Sequence, residues 1–185
     1  NVHQDGGSVV VRDVAGGRLV PVDVRAGVSL PDAAAAVAPA SLVDLRAGSV
    51  AALEPEGGKV RAGRYEKDAL VDVKVLDATA EAQGDVGAAP VGSEGVRGAV
   101  AVGTDGTVYA VSLAGRLMTL KQTGSGFGDP VYGEIGALTS VQVSAVGPGV
   151  VVYDPVAGVV RLPDGKAVRV TPDAAGRLQQ PGPVA

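Results

Sequence analysis

Short apolar runs, each bounded by glycine, proline or aspartate, recur along the whole chain. Val150-Val151-Val152-Tyr153 is the plainest of them. Four β-branched or aromatic residues in a row suit a strand covered on both faces. Asp154-Pro155 ends that run, because proline has no amide donor and a fixed φ, and Ala157-Gly158 completes the turn. Val159 to Leu162 reads as the next strand. In Pro163-Asp164-Gly165, the Asp-Gly pair is the signature of a two-residue type I′ hairpin. From Lys166 to Val170 the pattern alternates, with Val168 and Val170 on one face and Ala167 and Arg169 on the other. Gly149 to Val170 is thus read as three strands joined by two tight turns.

Weaker copies of this unit precede it. Gln4-Asp5-Gly6-Gly7 reads as a turn and Ser8 to Asp13 as a strand. Ala15-Gly16-Gly17 turns again into Arg18 to Val24, where Pro21 predicts an edge position or a bulge. Ala33 to Ala40 fits a loop, a small-residue strand packed closely on a neighbour, or one helical turn. Leu42 to Leu45, Ser49 to Leu53 and Lys59 to Tyr65 repeat the rhythm, with Glu54-Pro55 standing where Asp154-Pro155 stands later. Ala69 to Leu76 alternates apolar with charged residues, a strand with one wet face. Residues 77–98, rich in Ala, Gly and acid, predict a surface insertion. Ala99 to Val102, Thr107 to Leu113 and Arg116 to Gln122 follow as strands, turned at Asp105-Gly106 and Ala114-Gly115. Thr123 to Gly136 reads as a Gly-rich connection that leads on to Leu138 to Val146.

The repeat can be counted by its turn glycines, Gly17, Gly58, Gly115 and Gly158, which lie 41, 57 and 43 residues apart. Two intervals fall in the window of about 40 to 50 residues that β-propeller blades occupy, and the longer one contains the proposed insertion. The pattern predicts an all-β fold: a β-propeller-like array of short antiparallel blades, four repeats visible, spanning 1–185 as one repeat domain. The alternative is a β-sandwich with coincidental hairpin spacing. The expected core is Val9, Val11, Leu19, Val50, Leu53, Val108, Leu117, Leu120, Val141, Val143, Val150, Val152, Val160 and Val168. Four blades predict an open or partial propeller, or a ring completed outside these residues, with a terminal β-edge open to strand addition by a partner.

Composition sharpens this picture. Hydrophobic content is 46% but aromatic content only 3%, so Val, Leu and Ala must build the core. The 28 glycines and 12 prolines are spread between the apolar runs, as in a turn-rich β protein. A net charge of −4 argues against nucleic acid as a partner. There is no cysteine, so disulfides and thiolate metal sites are excluded. No apolar run approaches the roughly 18 residues of a helical membrane span. The chain opens at Asn1, in what reads as a turn before a strand, and this predicts a fragment that lacks a preceding signal or anchor segment.

Catalytic chemistry has little to stand on. His3 is the single histidine, at an end expected to fray, so a histidine triad and a multi-histidine metal site are excluded. A carboxylate pair could act on a glycoside, and Asp44, Glu54, Glu56, Asp72, Asp85, Glu94, Asp105, Asp129, Asp154 and Asp164 are available. Most of them adjoin Gly or Pro, where Asp caps its own turn. No dense Asp/Asn loop suggests calcium. Gly124-Ser125-Gly126-Phe127-Gly128 lacks the Lys-Ser/Thr pair and the following helix of a phosphate loop, so it reads as a connection. Tyr65, Tyr109, Tyr132 and Tyr153 are expected in the core or at its rim, with sugar stacking as the functional alternative.

The phrases GGSVVVRDVAGGRLVPVDV, GTVYAVSLAGRLMTL and PGVVVYDPVAGVVRLPDGKAV resemble the extracytoplasmic propeller-like region of actinobacterial fibronectin type III domain proteins. The resemblance implies a region between a membrane anchor and fibronectin repeats, with a surface role in binding or scaffolding and no catalytic residues to transfer. The resulting expectation is a non-catalytic extracytoplasmic module at the bacterial cell surface, acting through protein or glycan contacts or on further blades of the same protein. It calls for no cofactor and no metal. The alternative is a carboxylate-based glycoside hydrolase on a propeller scaffold.

Overall fold

The computed structural model describes residues 1–54, 58–66, 69–78, 98–124 and 126–170. Its strands form four larger antiparallel sheets in chain order, each a blade, and one two-stranded hairpin. The first blade holds β1 (Val2–Asp5), β2 (Ser8–Asp13) and β3 (Arg18–Asp23), with an outer strand split into β4 (Val28–Ser29) and β5 (Ala35–Ala36). The second is β6 (Leu42–Arg46), β7 (Ser49–Leu53), β8 (Lys59–Glu66) and β9 (Ala69–Asp77). The third runs β10 (Gly98–Val102), β11 (Val108–Ser112) and β12 (Arg116–Leu120). A small hairpin of β13 (Gln122–Thr123) and β14 (Gly126–Phe127) precedes its outer strand β15 (Val131–Glu134). The fourth is β16 (Gln142–Val146), β17 (Gly149–Asp154), β18 (Val159–Arg161) and β19 (Ala167–Arg169). The first strands of the blades pack in succession, β1 on β6, β6 on β10 and β10 on β16.

The four glycines that count the repeat all end the turn into the third strand of a blade, with φ of +60°, +63°, +88° and +63° at Gly17, Gly58, Gly115 and Gly158. Each offers its carbonyl to the N–H of the residue just past the outer strand: Val37, Ala78, Ile135 and Val170, at 2.7 to 2.9 Å. This latch closes every blade at the same place. A Cβ at Gly158 would lie 2.9 Å from the Val170 carbonyl oxygen, and one at Gly115 would overlap the Gly136 carbonyl. Glycine is needed there for its left-handed φ and for the room.

Three cores lie between successive blades. The first gathers Val10, Leu19, Val37, Leu45, Val50 and Ala52, and joins blades one and two. The second joins blades two and three around Ala51, Leu53, Val60, Met118 and Leu120. The third, with Tyr109, Val111, Leu138, Val150 and Val152, joins blades three and four. Strand alternation directs this: Val50 and Ala52 of β7 face one core while Ala51 and Leu53 face the next. Among the described residues no strand of the first blade is hydrogen-bonded to the fourth. Successive blades stacked side by side make a partial propeller rather than a two-sheet sandwich.

Several expectations need correction. Gln4 and Asp5 lie in β1, which brings His3 into a ladder opposite Val10 rather than leaving it in a frayed end. The Gly-rich connection hides β13 to β15, because a four-residue strand containing a glycine gives little pattern. Asp105-Gly106 and Asp164-Gly165 are turns with positive φ at both glycines (+78° and +82°), but Asp164-Gly165 is not the expected type I′, since Asp164 lacks positive φ. Each closes a turn whose glycine N–H returns to the residue three back, Gly103 or Leu162, at 3.0 Å. That is a type I turn followed by a left-handed glycine. Two residues of positive φ occur instead at Ala47-Gly48, between β6 and β7. Pro21 is buried and sits neither at an edge nor in a bulge. Its carbonyl accepts from Leu30, on the side where the outer strand is interrupted between Ser29 and Ala35, so its missing N–H faces the gap. Ala33 closes a 3-10 turn, Pro31–Ala33, and Ala35–Ala36 is the small-residue strand. The bulge falls in β9, where Asp72 takes φ +52° opposite the Gly63 region. Of the insertion assigned to 77–98, Asp77 ends β9, Ala78 is buried and Gly98 opens β10. The remainder lies outside the described residues.

The core list holds where two blades meet. Leu19, Val50, Leu53, Val108, Leu120, Val150 and Val152 are buried, and Leu117, Val141 and Val143 pack against the third core. Val9, Val11 and Val160 are only half-buried, and Val168 is 47% exposed. Val151 and Tyr153 are half-buried too, so the apolar run of β17 is covered on one face, not both.

Two sets of substitutions test this account. Gly165→Val should cost about 1 kcal/mol, because its surroundings are open and only φ is strained. Gly115→Val should cost more, about 3 kcal/mol, since its side chain also meets the Gly136 backbone beside the latch. Val152→Ala should cost about 1 to 3 kcal/mol by leaving a cavity in the third core. Urea denaturation midpoints rank the three, and equal losses at Gly165 and Gly115 would contradict the latch.

Candidate functional site

The polar residues that the fold positions most firmly hold blades and turns. Asp44 on β6 accepts the N–H of Val102 on β10 at 2.7 Å and that of Leu45 at 2.9 Å, tying the second blade to the third. Asp5 accepts the Ala47 N–H at 2.6 Å, between the first two blades. Arg12 reaches the carbonyls of Pro39 and Ser41 on the link to the second blade. His3 is half-buried on the same seam. Burial lowers its pKa, and nearby Asp44 opposes that shift.

Asp154 is 2% exposed at the end of β17. Its Oδ1 accepts from Val156 and Ala157 at 3.1 and 3.0 Å, capping the turn at Pro155. Its Oδ2 accepts from Thr139 at 2.7 Å, fastening the entry to the blade. Burial alone would raise its pKa, but the N–H groups of Ala157, Thr139 and Val156 outweigh it and hold the carboxyl below its ordinary value. Asp105 is lowered chiefly by the Thr107 N–H, 3.0 Å away, and Asp164 by the Lys166 ammonium and N–H. Asp72 pairs with Arg64 at 2.8 Å. Asp44, Asp72, Asp105, Asp154 and Asp164 thus all spend carboxylate oxygens on donors, as turn and blade anchors do. Glu56, Asp85 and Glu94 lie outside the described residues. Among the described residues no three His, Cys, Asp or Glu side chains gather as a metal site.

Tyrosines were expected in the core or at its rim, and three of them bridge blades. The Tyr65 hydroxyl donates to the Val22 carbonyl at 2.8 Å, Tyr109 to Pro148 at 2.8 Å and Tyr132 to Asp77 at 3.0 Å. Each leans an aromatic ring into a seam and reaches across to the neighbouring backbone. Sequence reading could not see this, because the partners are 39 to 55 residues away. Tyr153 is placed differently. It lies on the face of blade four turned away from blade three, opposite Gln142 and Val160.

Among the described residues, that face and its counterpart on the first blade are not packed against another blade. On the fourth blade it carries Val146, Val151, Tyr153, Val160 and Val168, with Val146 54% exposed. On the first blade Val2, Val9, Val11 and Val22 line the side away from the second, with Val2 67% exposed. By contrast, every residue of β7 and β11, the equivalent strands of the inner blades, is buried.

No protein-family model matches the chain, and no curated protein sequence matches it either. Solved structures of β-propeller proteins do. One is Kluyveromyces lactis Hsv2p, at 13% identity and a TM-score of 0.52, over 97% of this chain and 59% of that one. Kluyvelomyces marxianus Hsv2 aligns at 14% identity and a TM-score of 0.51, over 96% and 55%. A Bacteroides uniformis protein provisionally named a 6-phosphogluconolactonase aligns at 13% identity and a TM-score of 0.51, over 97% and 53%. At such identities the likeness is one of fold. The chain spans little more than half the length of each.

The turn carboxylates give a pH prediction. Asp105 and Asp154 have folded-state pKa values below their ordinary ones, so their stabilisation is complete above the unfolded value of 3.8 and is lost as the pH falls through the folded values. Asp154→Asn should lower the denaturation midpoint at pH 7 and flatten its fall between about pH 4 and 2. Urea titrations across that range check it, and parallel curves for the two proteins would contradict it.

Proposed function

We propose that this chain is a non-catalytic binding or scaffold module of the bacterial cell surface, working outside the cytoplasm through protein or glycan contacts. Its first contacts are with further blades. The observation that carries the reading is the pair of uncovered apolar end faces. A valine that passes from half-exposed to buried contributes about 1 kcal/mol, so a blade docked on Val151, Tyr153, Val160 and Val168 would gain several such terms. Tyr109 leans from the third blade to a carbonyl of the fourth, and Tyr153 is turned the same way with a fifth position in front of it. Four blades over 53–59% of the comparison chains scale to a ring of about seven, which leaves room for about three more.

The cell-surface assignment rests on the phrases from Gly6 to Val24, Gly106 to Leu120 and Pro148 to Val168, which resemble the extracytoplasmic region of actinobacterial fibronectin type III domain proteins. The net charge of −4 supports a partner other than nucleic acid.

Sedimentation across a concentration series tests the end faces. The 185-residue chain should associate reversibly, and the paired substitutions Val9→Lys and Val151→Lys should leave it monomeric. Both side chains point away from the three cores, so the unfolding midpoint should move by less than about 0.5 kcal/mol. A parent chain that stays monomeric at every concentration would defeat the reading. Fractionation of the native organism should place the protein in the cell envelope, and recovery from the cytosol would overturn the location.

A further inference from the structure

The seam between the third and fourth blades contains a cavity of about 260 Å³, separate from the end faces. Its walls are apolar, formed by Leu117, Ile135, Val152 and the ring of Tyr109. Two polar side chains join them, Thr119 and Arg161. Arg161 sits on β18 opposite Val152, on the face turned toward the third blade. Its Nη2 reaches the link out of blade three, 3.6 Å from where a Cβ on Gly136 would stand. The Tyr109 hydroxyl is engaged by the Pro148 carbonyl, so it shapes the wall rather than offering a donor.

The arginine is the unusual part. Arg12 has the Pro39 and Ser41 carbonyls, Arg64 has Asp72 and Glu66, and Arg116 has Glu134, whereas half-buried Arg61 has no acceptor among the described residues but is not part of this cavity's lining. Arg161 has no hydrogen-bond or ion-pair partner among the described residues, although it lines an apolar cavity. A guanidinium fork matches a carboxylate with two parallel N–H···O bonds, and the apolar wall screens that pair from water. The volume lies just under the range of ordinary ligand pockets, which sets a small upper size.

The geometry points to a binding site for a small apolar monocarboxylate, its carboxylate on Arg161 and its hydrocarbon body against Leu117, Ile135 and Tyr109. Thr119, also in the lining, is the additional hydroxyl donor. The site depends on two adjacent blades and not on completion of the ring, so it stands or falls apart from the end-face reading.

Nitrogen-15 chemical-shift titration of the whole chain tests it, with sodium benzoate as probe and benzamide as its uncharged match. Benzoate should shift the amides of Tyr109, Gly149 and Gly165 saturably, with a Kd in the millimolar range, and benzamide should bind at least about tenfold more weakly. Arg161→Gln should bring benzoate down to the benzamide level while leaving amide shifts elsewhere and the urea midpoint in place. Arg161→Lys should retain part of the affinity, because the charge remains but the fork is lost. Equal shifts from benzoate and benzamide would overturn the assignment. So would undiminished benzoate binding by Arg161→Gln, or an unresponsive spectrum up to about 50 mM.

Discussion

Everything in this molecule follows from the need to cover both faces of a blade. A strand such as Ser49–Leu53 has no polar side to give to solvent, and each of its residues is buried. Alternation sends Val50 and Ala52 to one neighbour and Ala51 and Leu53 to the other. Val108–Ser112 does the same one blade later, with Val108 and Ala110 on one side and Tyr109 and Val111 on the other. A blade of this kind cannot bury its apolar surface by itself, so stability belongs to the seams and passes along the array.

A chain with 3% aromatic residues must fill those seams by fit rather than by bulk. In the second seam Ala51, Ala62 and Ala110 lie among Leu53, Met118, Leu120 and Phe127, small residues beside large ones. Such complementarity gives native packing density without rings. Tyr65, Tyr109 and Tyr132 are used where a ring alone would not suffice, since their hydroxyls also satisfy a carbonyl on the neighbouring blade. The cavity walled by Tyr109 lies in the third seam, where the fourth blade offers only short strands of three residues beyond β17.

The repeat was legible because its marker is backbone chemistry. A left-handed residue beside a carbonyl must be glycine, so Gly17, Gly58, Gly115 and Gly158 stand out in any reading of the chain. Strands with long apolar runs were legible for the same reason of necessity. Val2–Asp5 and Val131–Glu134 were not, because an edge strand with one wet face carries half the pattern over four residues. Pro21 was misread because what tolerates it is an interruption in a neighbouring strand about ten residues on. Asp105, Asp154 and Asp164 cap turns as expected from the sequence, but Asp44 and Asp72 lie in strands, and Asp44 and Asp154 also fasten distant backbone, which residue spacing does not encode. Arg161 carried no signal at all, since its place in the wall of the third seam's cavity arises only from packing between blades.

The ends of the array then differ from its edges. The sequence predicts a terminal strand edge open to a partner; the outer strands of the second and fourth blades carry charged residues, Asp72, Lys74 and Asp77 on β9 and Arg169 on β19, whereas those of the first, Val28–Ser29 and Ala35–Ala36, carry none. Charged edges discourage strand addition. The end faces have no such protection, and their residues are those that a buried strand would have. Val150 and Val152 are covered while Val151 and Tyr153, equally apolar and on the same strand, are not. A run apolar on both sides thus has one face buried against the third blade and the other only half-buried among the described residues. On the proposed reading, face-to-face stacking, the interaction that already joins the four blades three times over, is the mode by which a further blade would cover that second face.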